Sequence, residues 1–257
     1  MKLQTYSITD IGRMRRENED CLKCDSENKV FVIADGMGGH VAGKIASSTA
    51  VEKFHSEISR ILKDSKLTLP FEYKSDENFY EVLIKYGYGQ VNAAINTKIQ
   101  KDSSLQGMGT TMSVVIIVKN QVHIGHIGDS RVYLFRNSQI SQLTRDHSLA
   151  EQMIQNGILK REERNQFKGK NIILKALGPK EAEAPDYIVR DLEPNDLFLM
   201  CTDGVHNYFE EDSLISFFEK KDENLEKIGK KIVKAANEKG GQDNISLVLI
   251  RVKEIET

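Results

Sequence analysis

Four aspartates sit where an apolar run meets a glycine or another small polar residue: Ala34-Asp35-Gly36, Gly128-Asp129-Ser130, Thr202-Asp203-Gly204 and Gln242-Asp243-Asn244. The runs beside them are Val30-Phe31-Val32-Ile33, Val122 to Ile127, Leu197-Phe198-Leu199-Met200 and Ile245 to Ile250. Short apolar runs of this kind predict buried strands. A strand that ends in a carboxylate delivers it to the rim of a sheet. Carboxylates gathered at one rim repel one another unless positive charge lies between them. Hard divalent cations are the fitting counter-charge, and a donor set made of carboxylates favours Mg or Mn over Zn. Asp-Gly alone is a turn signal; the strand before each one, and the set together, argue for a site.

The elements that must position these residues read as α+β. Residues 1–12 and 21–34 predict strands. Helical spacing of Ile45, Val51, Phe54, Ile58 and Ile61 predicts a helix from about Val41 to Leu62. Val82, Leu83, Tyr86, Val91 and Ile95 predict a second within 77–100, across Gly87 and Gly89. Next come Thr110 to Val118 and Val122 to Ile127, joined at Asn120, then Arg131 to Phe135 and Gln139 to Leu143, joined at Asn137-Ser138. Connections this short make antiparallel hairpins, because a parallel pair needs a crossover of about a dozen residues. Ser148-Leu149-Ala150-Glu151 is a capping box opening a short helix that ends near Gly157. Residues 158–172 are charged and aperiodic and predict a surface excursion. Strands at 187–191 and 196–202, helices at 212–219 and from Asp222 as N-cap to Gly240, and a strand from Ile245 to Val252 complete the chain.

With 257 residues and no Pro-, Gly- or Ser-rich linker, a single domain over 1–257 is expected. Thirty-six basic and 38 acidic residues leave a net charge of −2, which gives no electrostatic ground for nucleic acid or an anionic membrane as partner. No apolar run approaches the ~18 residues of a membrane span, and Met1 to Tyr6 lacks the apolar core of a signal peptide. A soluble cytoplasmic monomer is the expectation. Three cysteines imply no disulfide framework. Cys21 and Cys24 form a C-x-x-C, but a zinc site needs a second ligand cluster and a thioredoxin-like motif would open a helix, so both read as incidental thiols.

Seven segments, in order along the chain, resemble the metal-dependent PPM-type (type 2C) protein serine/threonine phosphatases of the compact bacterial kind. They are Thr9 to Asp20 (TDIGRMRRENED), Asp35 to His40 (DGMGGH), Gly107 to Thr111 (GMGTT), Ile127 to Arg131 (IGDSR), Thr144 to Ser148 (TRDHS), Thr202 to Gly204 (TDG) and Gly241 to Asn244 (GQDN). The resemblance implies a four-layer α-β-β-α sandwich of two antiparallel sheets flanked by helix pairs, with a flap at about 145–175. It also implies two Mn2+ or Mg2+ ions, with a third weaker one. By that resemblance, Asp35 bridges two metals, the Gly36 carbonyl is a ligand of the first, and Asp203 and Asp243 bind the second. Glu19, Asp20 and Asn244 match positions that act mainly through water on the metals. Asp129 matches the carboxylate that holds the third ion with Asp203. Arg15 matches the arginine that grips the substrate phosphate, and a guanidinium suits this by making paired hydrogen bonds to phosphate oxygens. His40 matches a histidine of bacterial members and is a candidate substrate contact or general acid.

Two metal ions can lower the pKa of a water, orient it towards phosphorus and stabilise the charge that develops. The implied activity is hydrolysis of phosphoserine and phosphothreonine in proteins, opposing a Ser/Thr protein kinase. The competing function is a silent pseudophosphatase that scaffolds a partner, against which the intact set Arg15, Asp35, Asp203 and Asp243 speaks. Gly38 to Lys44 is nearly a P-loop, but Ile45 stands where a Ser or Thr must reach magnesium. Asp146 precedes a capping box and is read as structural. Arg131 and Thr110-Thr111 are read as scaffolding, and His55, His123, His126 and His206 lack partner spacing.

Overall fold

The computed structural model describes residues 1–39, 41–64, 66–178, 184–219 and 223–255. Its elements, in order, are β1 (Lys2–Asp10), β2 (Asp20–Asp25), β3 (Val30–Met37), α1 (Val41–Lys63), α2 (Phe79–Lys101), β4 (Gly109–Thr110), β5 (Met112–Val118), β6 (Gln121–Ile127), β7 (Arg131–Arg136), β8 (Gln139–Gln142), α3 (Leu149–Gln155), β9 (Asp186–Asp191), β10 (Leu197–Cys201), α4 (Asp203–His206), α5 (Glu211–Phe218), α6 (Leu225–Glu238) and β11 (Ile245–Glu254). One sheet has the order β1-β11-β10-β7-β8. The other runs β2-β3-β5-β6-β9, with β4 paired to β3. The pairings are antiparallel throughout.

The two-residue alternation of side chains along a strand explains the layers. On β3, Val30, Val32 and Ala34 join α1 and α2 in one core, while Phe31 and Ile33 face the second sheet. On β10, Leu197, Leu199 and Cys201 pack with α5 and α6, while Phe198 and Met200 face back between the sheets. β11 divides in the same way, Leu247 and Leu249 outward and Val248 and Ile250 inward. Because both faces of these strands are covered, their sequences run apolar without a break. Each such side chain, fully buried, contributes about 1.5–3 kcal/mol. The expected α-β-β-α sandwich is the observed architecture. Helix α1 presents Ala42, Ala46, Ala50, Phe54 and Ile58, spaced by four, to the sheet. Asn78 caps α2 by accepting from the backbone N–H groups of Tyr80 and Glu81.

Some boundaries differ from the sequence pattern. The run 21–34 is two strands rather than one: Asp25 accepts from Asn28 N at 3.0 Å and turns the chain, and Lys29 takes φ +55° before β3 begins. The polar turn interrupts a pattern that otherwise continues on both sides. Asp222 lies outside the described residues, and the side chain that caps α6 is Asn224, accepting from Glu226 N. Only half of the expected capping box forms: Ser148 Oγ accepts from Glu151 N, while the Glu151 carboxylate is taken by Arg164 and Gln155. The stretch 158–172 contains a 3-10 helix at Arg161–Gln166. Arg164 ties it to the body through an ion pair with the buried carboxylate of Asp146.

Antiparallel register brings the strand ends together. Asp20, at the start of β2, is the Cα partner of Asp35 near the end of β3. The end of β6 pairs with the start of β5, Ile127 with Met112. In the other sheet the end of β10 pairs with the start of β11, Cys201 with Leu247.

Candidate metal centre

At this end of the sandwich Asp20, Asp35, Asp129, Asp203 and Asp243 lie in one another's electrostatic field. Burial first, then the charges of Asp20, Asp203, Asp129 and Asp243, push the Asp35 carboxyl well above the ordinary carboxylate range. Burial, then Asp129, Asp243 and Asp20, does the same to Asp203. Asp20 is pushed up to about 7, mainly by burial and against hydrogen bonds from Ser246 and Thr202. Asp129 is pushed up to about 6 by burial and by Asp146. Buried like charges of this kind are stable only when neutralised.

The Asp35 backbone is held on both sides: its N–H donates to Thr111 Oγ1 at 3.0 Å, and its carbonyl accepts from Thr110 Oγ1 at 2.8 Å and Thr111 N at 2.9 Å. Thr110 and Thr111 are thus the expected scaffolding. Oδ1 of Asp20 and Oδ1 of Asp203 are buried without a hydrogen-bond partner. Unpartnered buried carboxylate oxygens beside three more carboxylates are a donor set that suits a hard divalent cation. As the side chains stand, no three of the described His, Cys, Asp and Glu residues converge tightly enough to form a closed chelate.

Not every residue singled out in the sequence faces the centre. Asn244 is largely spent elsewhere: Oδ1 accepts from Glu19 N at 2.8 Å, and Nδ2 donates to the carbonyls of Ile11 and Glu17, each at 3.0 Å. It clamps the loop between β1 and β2, with one carbonyl lone pair left for water. The Glu19 carboxylate lies against Gly43 in the first turn of α1. That turn has no acidic residue of its own, and a helix N-terminus favours a nearby negative charge. Arg15, half exposed, donates from Nη2 to Asp243 Oδ2 at 2.7 Å, so the guanidinium stands at the rim of the carboxylates. His40 lies outside the described residues.

Gly36 shows why no side chain is tolerated at the end of β3. A Cβ there would stand 2.1 Å from the Gly43 carbonyl oxygen and 2.8 Å from that of Glu19. Gly36→Ala is therefore expected to destabilise the protein by about 3 kcal/mol, the upper end for overpacking. The melting temperature should fall by roughly 6–12 °C. An unchanged melting temperature would mean that α1 yields without cost.

Beneath the site Arg131 is the scaffolding the sequence suggested, but its pairing with Asp146 and Tyr133 left no signal in the sequence. Arg131, nearly buried, donates from Nε and Nη2 to Asp146, both at 2.8 Å, and from Nη1 to Tyr133 Oη at 2.8 Å. The arginines hold the Asp146 carboxyl well below the usual range despite its burial. This is the structural role read for Asp146. His206 Nε2–H donates to the Asp129 carbonyl at 2.9 Å, fixing the turn that carries Asp129. A cavity of about 890 Å³ opens beside it, between the 158–172 stretch and α5, walled by Arg131, Arg164, His206 and Asn207 among others.

Fold and site together describe an acidic centre at one end of a two-sheet sandwich, with an arginine at its rim. The protein phosphatase 2C family model matches residues 15–238. The serine/threonine phosphatase stp of Listeria welshimeri is 35% identical over 245 residues, covering 94% of this chain and 93% of that protein. Protein phosphatase PhpP of Streptococcus pneumoniae is 33% identical over 250 residues, covering 96% of each. Among solved structures, the catalytic domain of the serine/threonine protein phosphatase PstP, in complex with two manganese ions, aligns with a TM-score of 0.83 at 25% identity, covering 98% of this chain and 99% of that one. The chain belongs to the protein phosphatase 2C family.

Proposed function

We propose that the protein hydrolyses phosphoserine and phosphothreonine in other proteins with the help of two divalent cations, Mn2+ or Mg2+, and that it opposes a Ser/Thr protein kinase. The observation that carries this is the cluster of carboxylates pushed above their ordinary range, with buried, unpartnered oxygens on Asp20 and Asp203. Asp35, Asp203 and Asp243, with the Gly36 carbonyl, would hold the pair of ions; Asp129 with Asp203 would hold a weaker third. Bound there, the cations supply a water of lowered pKa and neutralise charge that develops on the phosphoryl oxygens.

The chain's own residues do the rest. Thr110 and Thr111 hold the Asp35 backbone, so its carboxylate is presented from a fixed point of the sheet rim. Arg15 uses one N–H on Asp243 and has others in its planar fork for the substrate phosphate. Asn244 and Glu19 anchor the loop that carries Arg15 and Asp20. Among the described residues no helix is long and apolar enough to cross a membrane.

The test is phosphate release from a phosphothreonine peptide by metal-stripped protein, with and without manganese. Release is expected only with the metal. Arg15→Ala should lower kcat/KM about 10–100-fold, the effect of losing a hydrogen-bonded charge on the substrate at ~1.5–3 kcal/mol. Folded protein that is silent with every divalent metal tried would instead support the scaffold reading.

A further inference from the structure

Two of the buried carboxylates are held in the same way from outside the centre. Asp20 Oδ2 accepts from Thr202 Oγ1 at 2.9 Å, and Asp203 Oδ2 accepts from Asn207 Nδ2 at 3.1 Å. In both residues it is the other oxygen, Oδ1, that is buried with no hydrogen-bond partner. A donor on one oxygen fixes the plane of a carboxylate, and so decides where the second oxygen points. We propose that Thr202 and Asn207 are positioning residues: by holding Oδ2 of Asp20 and of Asp203, they aim the two Oδ1 atoms at the divalent cations. This rests on the metal-dependent reading above.

Thr202 is built for the task. It is wholly buried. Its N–H donates to the Ser246 carbonyl at 3.1 Å, and its Oγ1 accepts from Ser246 N at 3.2 Å, so the hydroxyl proton is left for Asp20. One residue thereby joins carboxylates of both sheets: its backbone leads directly into Asp203, while its side chain holds Asp20 from β2. Asn207 follows Asp203 by one helical turn, and its own N–H donates to the Asp203 carbonyl at 2.9 Å. That bond sets the amide beneath the carboxylate it serves. Thr202 and Asn207 are thus donors to the carboxylates, and their action on the cations passes through Asp20 and Asp203.

The test uses the full chain, stripped of metal and titrated calorimetrically with Mn2+ alone. Thr202→Val keeps the volume and removes the hydroxyl; Thr202→Ser keeps the hydroxyl; Asn207→Ala removes the amide. Thr202→Val and Asn207→Ala are expected to weaken Mn2+ binding about 10–100-fold, as loss of an outer hydrogen bond to a metal ligand does. Thr202→Ser should stay close to wild type. A merely structural role would lower the melting temperature of the metal-free variants and leave Mn2+ affinity unchanged, and that result overturns the proposal. So does a Thr202→Ser protein as weak as Thr202→Val. If Thr202→Val does not fold, Asn207→Ala decides: wild-type affinity in it overturns the proposal. Wild-type protein that binds no Mn2+ is a different failure, which removes the metal-dependent reading itself.

Discussion

Asp35→Asn is expected to lower manganese-dependent phosphate release by about 10³-fold or more, the upper end of what losing one preorganised electrostatic partner costs, while leaving the metal-free protein as stable as wild type or more so. The two halves of this result come from the same geometry. Asp35 is pressed from all sides: burial and the charges of Asp20, Asp203, Asp129 and Asp243 all act on it. Asparagine keeps the shape, removes the charge, and leaves the backbone bonds to Thr110 and Thr111 in place. Without metal, that relieves repulsion between buried like charges. With metal, it removes the carboxylate proposed to bridge the two ions. A kinetic assay beside a thermal melt of stripped protein separates this from simple unfolding, which would lower both. Retained activity would show that Asp35 is not the bridging ligand, and a collapsed melting temperature would show that its charge is compensated within the protein.

The centre was legible in the sequence to the extent that its parts are local. Each aspartate follows or precedes a strand buried on both faces, so the apolar run and the carboxylate mark strand and rim together. The hairpin at Asn137-Ser138 was legible for a similar reason: both residues adopt positive φ, +52° and +63°, as the tight turn between twisted strands requires. What could not be read depends on contacts between distant segments. The bond from Thr202 to Asp20 joins residues 182 apart in sequence, and that from Asn244 to Glu19 joins residues 225 apart. Neither leaves a local pattern, because the partners meet only once the two sheets have taken their register. The Asp146 clamp was half legible. Its place before a helix cap suggested structure, but the arginines that surround it come from β7 and from the charged 158–172 stretch, which looked like solvated surface.

Manganese is expected to stabilise the protein more at pH 7.5 than at pH 5, because the carboxylates of the metal-free centre lose their stabilising protons as the pH rises from about 4 to about 7. Asp20 is pushed up to about 7 and Asp129 to about 6 in the folded protein, against ~3.9 in an unfolded chain. A carboxyl group whose folded pKa lies above its unfolded value stabilises the fold in its protonated form. That stabilisation is full below the unfolded value and is lost as pH climbs through the folded one. Asp35 and Asp203 shift in the same direction and add to the loss. Asp25, lowered to about 2 against the opposing effect of burial by hydrogen bonds from Asn28 and by His55, and Asp146 contribute the opposite sign at the acid end, and the buried imidazoles of His123 and His126, each lowered to about 4, and of His206, lowered further, contribute it between about pH 4 and 6.5 with or without metal. Each pH unit over which a group is ionised in the unfolded chain and protonated in the fold is worth ~1.4 kcal/mol, so Asp20 and Asp129 make an effect of several kcal/mol, and Asp35 and Asp203 add to it in the same direction. Cations bind the ionised carboxylates and displace their protons. Manganese at a hundredfold excess over its dissociation constant adds ~2.7 kcal/mol, or roughly 5–11 °C in melting temperature, and at pH 5 protons compete for the same oxygens. Melts of stripped protein at pH 5 and pH 7.5, with and without manganese, measure all four corners of this linkage. Equal manganese shifts at both pH values would mean that these carboxylates do not carry the counter-charge demand assigned to them.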